Sequence, residues 1–221
     1  MADFIPLEWT ELSPSLMLKR GVELKHLMAQ RRTTRHFSSK PVPRALIECA
    51  IECAGSAPSG AHLQPWTWVA ISNKEIQTKL RQAAEQEERL TYERRMPEAW
   101  REVLEPLGTD AVKEHLTTAP WVVVLFKHKQ RIRSNGERGP TYYATESCGI
   151  AAGFFLQCVH SMGLVALTHT PSPMKFLNTI LNRPSHEEAM LVIPLGYPAD
   201  DALVPNIQRK TLDEIAVFVE S

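Results

Sequence analysis

The run Trp121-Val122-Val123-Val124-Leu125-Phe126-Lys127 is apolar at every position until its final lysine. A strand with one wet face alternates polar and apolar residues, so an unbroken run is the pattern of a sheet covered on both faces. Such a chain needs helices for two outer layers. Leu16, Leu18, Val22, Leu24, Leu27 and Met28 approximate one face of a helix between Leu16 and Arg32. Pro43 suits a first helical turn, after which Leu46, Ile47, Ala50, Ile51 and Ala54 point inward. Asn73 can cap a long polar helix to about Arg95, with a thin stripe at Ile76, Leu80 and Ala83, and Thr109-Asp110 can cap another to Thr118. The most apolar helix starts at Thr141 and ends at Gly163, and its Gly149 and Gly153 would let another helix approach closely. Trp66–Ile71, Leu164–Leu167 and Met190–Leu195 read as strands, with a helix near Lys175–Leu181; the polar, glycine-bearing stretch His128–Pro140 reads as a loop. Strands alternating with helices make a layered α+β or α/β domain.

At 221 residues the chain supports one compact domain, residues 1–221, with at most an inserted lid. Lys plus Arg equals Asp plus Glu at 25 each, so no overall charge steers it to nucleic acid or an anionic membrane. Four cysteines (Cys49, Cys53, Cys148, Cys158) in apolar settings read as buried thiols of a reducing, cytoplasmic compartment. No basic leader precedes an apolar run, and no apolar stretch could span a bilayer. G-x-G-x-x-G, P-loop and G-x-S-x-G patterns are absent, which weakens dinucleotide-fold, NTPase and hydrolase readings. No histidine or cysteine spacing suits a metal.

Three features carry chemistry. Arg31-Arg32-Thr33-Thr34-Arg35 sets three guanidinium groups and two hydroxyls at a helix C-terminus, either as cations at the negative helix end or as a phosphate clamp; Arg209-Lys210 repeats the basic theme. Ala57-Pro58-Ser59-Gly60-Ala61-His62, before Gln64-Pro65-Trp66, is a small-residue loop that lets backbone amides approach a flat ligand. Thr168-His169-Thr170-Pro171 puts two hydroxyls on the same side of a strand end.

The ordered set R-R-T-T-R, A-P-S-G-A-H-x-Q-P-W and a late T-x-T-P, with Leu195-Gly196-Tyr197-Pro198, resembles the flavin-reductase branch of the nitroreductase superfamily, in wording closest to the iodotyrosine deiodinases. The similarity runs from about Pro6 to Val219. It implies a three-layer α/β/α fold with a central mixed sheet, an extended C-terminal arm (198–221) and an intertwined homodimer with FMN at the interface. By that resemblance Arg31, Arg32, Thr33, Arg35 and Arg209 hold the FMN phosphate and ring edge, Pro58, Ser59 and Gly60 line the cofactor, and Thr168-His169-Thr170 lies beside the flavin N5. A hydroxyl there stabilises the one-electron-reduced flavin; Thr168 and Thr170 are both candidates, with Thr170 preferred. His169 reads as a packing or capping residue.

Glu88 and Tyr92 are four apart on the polar helix, and Lys113 follows in Val112-Lys113-Glu114-His115-Leu116. Taken alone this is a solvated, salt-bridged surface. The resemblance implies a substrate lid over residues 85–115, in which Glu88 takes the ammonium of a halotyrosine, Lys113 its carboxylate, Tyr92 closes over it and the Ala61 N–H holds the phenolate. The implied reaction is reductive removal of halide from 3-iodo-L-tyrosine. No motif chooses between NAD(P)H and a partner reductase as electron donor. A broad NAD(P)H nitro- or quinone reductase, a non-catalytic flavin carrier and a flavin-free structural domain stand as rival readings.

Overall fold

The structure is a computed structural model and describes residues 3–220. Its centre is β2 (Trp121–His128), flanked antiparallel by β1 (Trp66–Ile71) and by β6 (Glu187–Gly196), with β5 (Val165–Ala166) pairing antiparallel on the far side of β6. Among the described residues the parallel component is the bridge Thr33–Ala166. From Val122 to Phe126 every residue is fully buried, and alternation divides them between two layers. Val123 packs with Ile193 and Leu195 of β6 against Ile47, Ala50 and Ala54 of α2 (Arg44–Gly55) and Phe155 and Val159 of α6 (Ala144–Ser161). Val122, Val124 and Phe126 pack on the other side with Leu80 and Ala84 of α3 (Lys74–Leu90), Leu116 of α5 (His115–Thr118) and Leu177 of α7 (Lys175–Ile180). Burying each of the Val, Leu, Ile and Phe side chains among these contributes roughly 1.5–3 kcal/mol, so β2 is the rigid reference from which the loops at the sheet's ends are aimed.

The helical layers begin where the sequence places them, with local differences. Helix α1 (Pro14–Gln30) is capped by Ser13, whose hydroxyl accepts from the Leu16 N–H, yet it buries no residue in the single chain. Asn73 caps α3 by accepting from the Ile76 N–H. On α3 the buried positions are Gln77, Leu80 and Ala84, one step off the expected stripe, because the Gln77 amide bonds the Ile71 and Ala119 carbonyls and so enters the core satisfied on its donor side. After Leu90 the helix widens into a π turn, Thr91–Arg95, followed by the short α4 (Glu98–Leu104).

Four expectations need correction. His128–Pro140 is not a loop throughout, since β3 (Gln130–Ile132) and β4 (Arg138–Pro140) pair as a hairpin. The helix capped by Thr109-Asp110 does not form there: the Asp110 carboxylate accepts from Val112 N–H in a tight turn, and Lys113 N–H is taken by the Glu85 side chain instead of a helical carbonyl. Helix α6 starts at Ala144, because Tyr143 sits in the left-handed region (φ 51°). Only Cys148 is a buried thiol, with burial pushing its pKa up to about 11, whereas Cys49 is exposed. Gly149 and Gly153 are exposed, and a Cβ at either would meet nothing within 4 Å, so no helix of this chain takes the close approach they permit. Beyond Pro198 the chain runs extended and largely exposed, with one short helix, α8 (Leu212–Ile215).

Candidate active site

Two groups of functional side chains meet where α1, the end of β5 and the segment between α3 and α5 converge. The first is cationic. Arg31, Arg32, Thr33 and Arg35 line a cavity of about 300 Å³ together with Leu107, Leu167, Thr168 and, from the tail, Pro205, Ile207, Gln208 and Arg209. Local structure explains the gathering: Thr33 bridges Ala166 beside β5, Arg32 donates to the Pro205 carbonyl, and Arg209 donates to the Ala29 and Arg31 carbonyls at 2.9 and 2.6 Å. Arg209 thus caps the negative end of α1 while lining the cavity. Burial, and then the charges of Arg209 and Arg32, push the Arg31 pKa down. A cluster whose members disfavour one another's charge is relieved by an anion, and guanidinium forks with a threonine hydroxyl suit a phosphate dianion.

The second group is the proposed lid set, and the structure brings all three members together. Lys113 is 5% exposed, with its ammonium 3.4 Å from Glu88 Oε2, 5.9 Å from the Tyr92 ring centre and bonded to the Asp110 carbonyl. Tyr92 Oη lies 3.0 and 2.9 Å from the Thr109 carbonyl and hydroxyl, positioned by the π turn that follows α3. Glu88 Oε1 lies 3.3 Å from His169 Nε2. Burial works to raise the Glu88 pKa, but the His169 hydrogen bond and the Lys113 charge outweigh it and hold the carboxyl below its usual range. Thr168 and Thr170 are exposed, with the more buried His169 between them, and Thr168 lines the cationic cavity.

Sequence reasoning missed His115. It is 6% exposed, its ring stands edge-on to His169 at 5.5 Å, and burial with the charges of His169, Lys113, Arg35 and Arg81 pushes its pKa down to about 3. Its one signal was position, two residues after Lys113 and next to Leu116. The Tyr92 partner Thr109 carried no signal at all.

Pro58, Ser59, Gly60 and Ala61 line neither group. The Gly60 N–H donates to Ser147 Oγ at 3.2 Å at the start of α6, and Ala61 holds φ 50°. Bonds from His62 N–H to Ser59 O and from Leu63 N–H to Gly60 O close the turn without engaging the Ala61 N–H. One chain therefore carries the cationic cavity beside the Glu88, Tyr92 and Lys113 cluster and, separately, an amide-bearing loop.

The nitroreductase family model matches residues 28–197, most of the chain. The chain belongs to the nitroreductase family. Among its relatives in that family, the iodotyrosine deiodinase of Haliscomenobacter hydrossis is 47% identical over 216 residues, spanning 98% of this chain and 96% of its own. The iodotyrosine deiodinase of Hydra vulgaris is 40% identical over 97% of this chain and 79% of its own. A crystal structure of oxidized iodotyrosine deiodinase bound to FMN and 3-iodo-L-tyrosine superposes on 88% of this chain and all of that one, with a TM-score of 0.76 at 25% identity. A BluB-like flavoprotein from Clostridium difficile shares the fold, with a TM-score of 0.68. Among the described residues of this nitroreductase-family chain, no helix is long and apolar enough to cross a membrane.

Proposed function

We propose that this chain is an FMN-dependent oxidoreductase that removes halide reductively from halotyrosines, converting 3-iodo-L-tyrosine to L-tyrosine and iodide. The observation that carries this reading is the Glu88–Lys113 pair beside Tyr92. A generic reductase of flat, neutral aromatics has no use for opposite charges withdrawn from water in its lid, whereas an amino-acid zwitterion needs one of each. In this reading the relatives' shared name and the superposed complex support the same substrate class.

The cationic cavity would hold the FMN phosphate through Arg31, Arg32, Thr33, Arg35 and Arg209, and the bound flavin, once reduced by NAD(P)H or a partner reductase, would supply the two electrons that expel the halide. The exposed hydroxyls of Thr168 and Thr170 face the ring edge, Thr170 being the preferred donor. Lys113 leaves Glu88 to meet the substrate carboxylate, and Glu88 takes the ammonium. Tyr92 packs over the ligand as residues 85–115 close and exclude water. The Ala61 N–H holds the phenolate oxygen, and Pro58, Ser59 and Gly60 line the ring.

Because those four residues lie apart from the cationic cavity, the complete site takes a loop from a second copy of the chain. Support for a homodimer comes from large apolar side chains left in water: Trp9 at 74%, Leu18 at 70%, Phe154 at 37% and Phe218 at 71% exposure, with the open face around Gly149 and Gly153. The arm from 198 onward then embraces the partner.

Titrating the fluorescence of the bound flavin with 3-iodo-L-tyrosine tests the proposal. Tight quenching by the native protein, lost in Lys113→Ala, and deiodination lost in Glu88→Gln while nitroaromatic reduction survives, are the expected results. Equal losses on both substrates would return the chain to the broad nitro- or quinone-reductase class.

A further inference from the structure

The two oxygens of the Glu88 carboxylate have different partners. Oε2 faces the Lys113 ammonium at 3.4 Å and Oε1 faces His169 Nε2 at 3.3 Å. A carboxylate held below its usual pKa range is ionised and can only accept, so His169 Nε2 must carry the proton it donates. Burial foremost, with Lys113 and Arg35, pushes the His169 pKa down against the opposing pull of Glu88, so the ring is neutral at pH 7 and its Nδ1 is a bare lone pair. That atom is buried and finds no partner among the described residues. An orphaned buried nitrogen is destabilising, and the fold sustains it at this position.

The ring is also anchored. Both backbone groups of His169 bond Val192 in the core strand β6, at 2.8 and 2.9 Å. Its side chain is 11% exposed, and the neutral His115 ring stands edge-on behind it. Thr168 and Thr170, on either side, are the exposed residues of the same segment. His169 is therefore a fixed post between β6 and the Glu88 carboxylate near the C-terminal end of α3.

We propose that His169 is a positioning residue for Glu88, holding Oε1 throughout so that Oε2, vacated by Lys113, is presented to the substrate ammonium. This rests on the role given to Glu88 above. It also makes His169 the mechanical link between the threonine segment and the lid, in place of a ring contact to the cofactor.

The test uses the FMN-loaded protein and two ligands, 3-iodo-L-tyrosine and 2-iodophenol, which keeps the ring but lacks the zwitterion. Affinities are read by flavin fluorescence. In His169→Leu the ratio of iodotyrosine to iodophenol affinity falls about tenfold, the effect of one charge-assisted hydrogen bond. His169→Gln, which can still present an N–H, restores most of the ratio. On a Glu88→Gln background, His169→Leu changes the ratio less than about threefold, since coupled residues are not additive.

An unchanged ratio in His169→Leu, no rescue by glutamine, or full additivity with Glu88→Gln overturns the proposal. Should His169→Leu fail to fold, nitrogen NMR of the unsubstituted protein decides: a proton on Nε2 whose resonance moves in Glu88→Gln upholds it, and a proton on Nδ1 overturns it. If the native protein binds no iodotyrosine, the proposed function fails, and the same NMR signal still reports separately on the His169–Glu88 bond.

Discussion

Glu88 and Lys113 meet across 3.4 Å within one chain, with side chains 15% and 6% exposed, so these two opposite charges already neutralise each other in the single chain. On the proposed function a zwitterion would bind by exchanging that contact for two new ones, and the net gain would be smaller than two isolated ion pairs would give. Removing one member strands the other. Glu88→Ala leaves a buried ammonium with the Asp110 carbonyl as its remaining bonded partner, and should destabilise the fold by on the order of 3 kcal/mol. Lys113→Met removes the charge while filling the space and should cost less. Urea denaturation at pH 7 compares them, and both variants should lose flavin quenching by iodotyrosine.

His115 sets a pH dependence. Its pKa in the fold is about 3 against an ordinary 6.5, so the folded state favours the neutral ring. That contribution to stability is complete above pH 6.5 and declines as the pH falls toward 3, by about 1.4 kcal/mol per unit. His169, pushed in the same direction, adds to the slope. Between pH 7 and 5 the native protein should lose about 2 kcal/mol or more. His115→Phe keeps the volume, sheds the unpartnered nitrogen and should flatten the slope, as urea midpoints at the two pH values would show.

The layered fold was legible because its causes are local. The apolar run of β2 required two covering layers, and the inward residues of α2 found them. Glu88 and Tyr92 were legible as neighbours because four residues make one helical turn, although Tyr92 reaches its place through a π turn that no spacing announces. Lys113 was legible as a member of the lid set only through family likeness, since its backbone is pinned by Glu85 across 28 positions of sequence. His115 was hidden for the same reason, and His169, read as packing or capping, gave no sign of its bond to Glu88, because burial and side-chain pairing across the fold arise from tertiary packing. The tail of Arg209 was read as reaching a cofactor, and its bonds to Ala29 and Arg31 add a capping role that no spacing between positions so far apart could announce.

On the proposed function Arg209 would have two roles, capping α1 and holding the FMN phosphate, and its removal separates them. Arg209→Ala should weaken FMN binding about 10- to 100-fold, the worth of a charge-assisted bond to phosphate, and should reduce the salt dependence of the remaining affinity. Arg209→Lys keeps the charge but cannot bridge two carbonyls in one plane, so it should recover salt dependence better than affinity. Equilibrium dialysis of FMN at two ionic strengths reads both. Equal affinity in all three proteins would place the phosphate elsewhere.

The loop that carries Ala61 is set by its neighbour. A Cβ on Gly60 would lie 2.3 Å from the Tyr142 carbonyl oxygen and 2.9 Å from its carbon, and backbone atoms cannot yield as a flexible side-chain tip can. Any retreat also breaks the bond from Gly60 N–H to Ser147 Oγ, a hydroxyl already committed to the Tyr143 carbonyl at 2.6 Å. Gly60→Ala should thus cost about 1–3 kcal/mol of stability and displace the amides that follow, lowering iodotyrosine affinity more than FMN affinity. Ala61→Gly works the other way on the same turn: it relieves a φ of 50°, while the freer unfolded chain offsets the gain, so stability should stay within about 1 kcal/mol of the native protein. Thermal melts and flavin quenching of the two variants distinguish crowding from strain, because only crowding moves the loop.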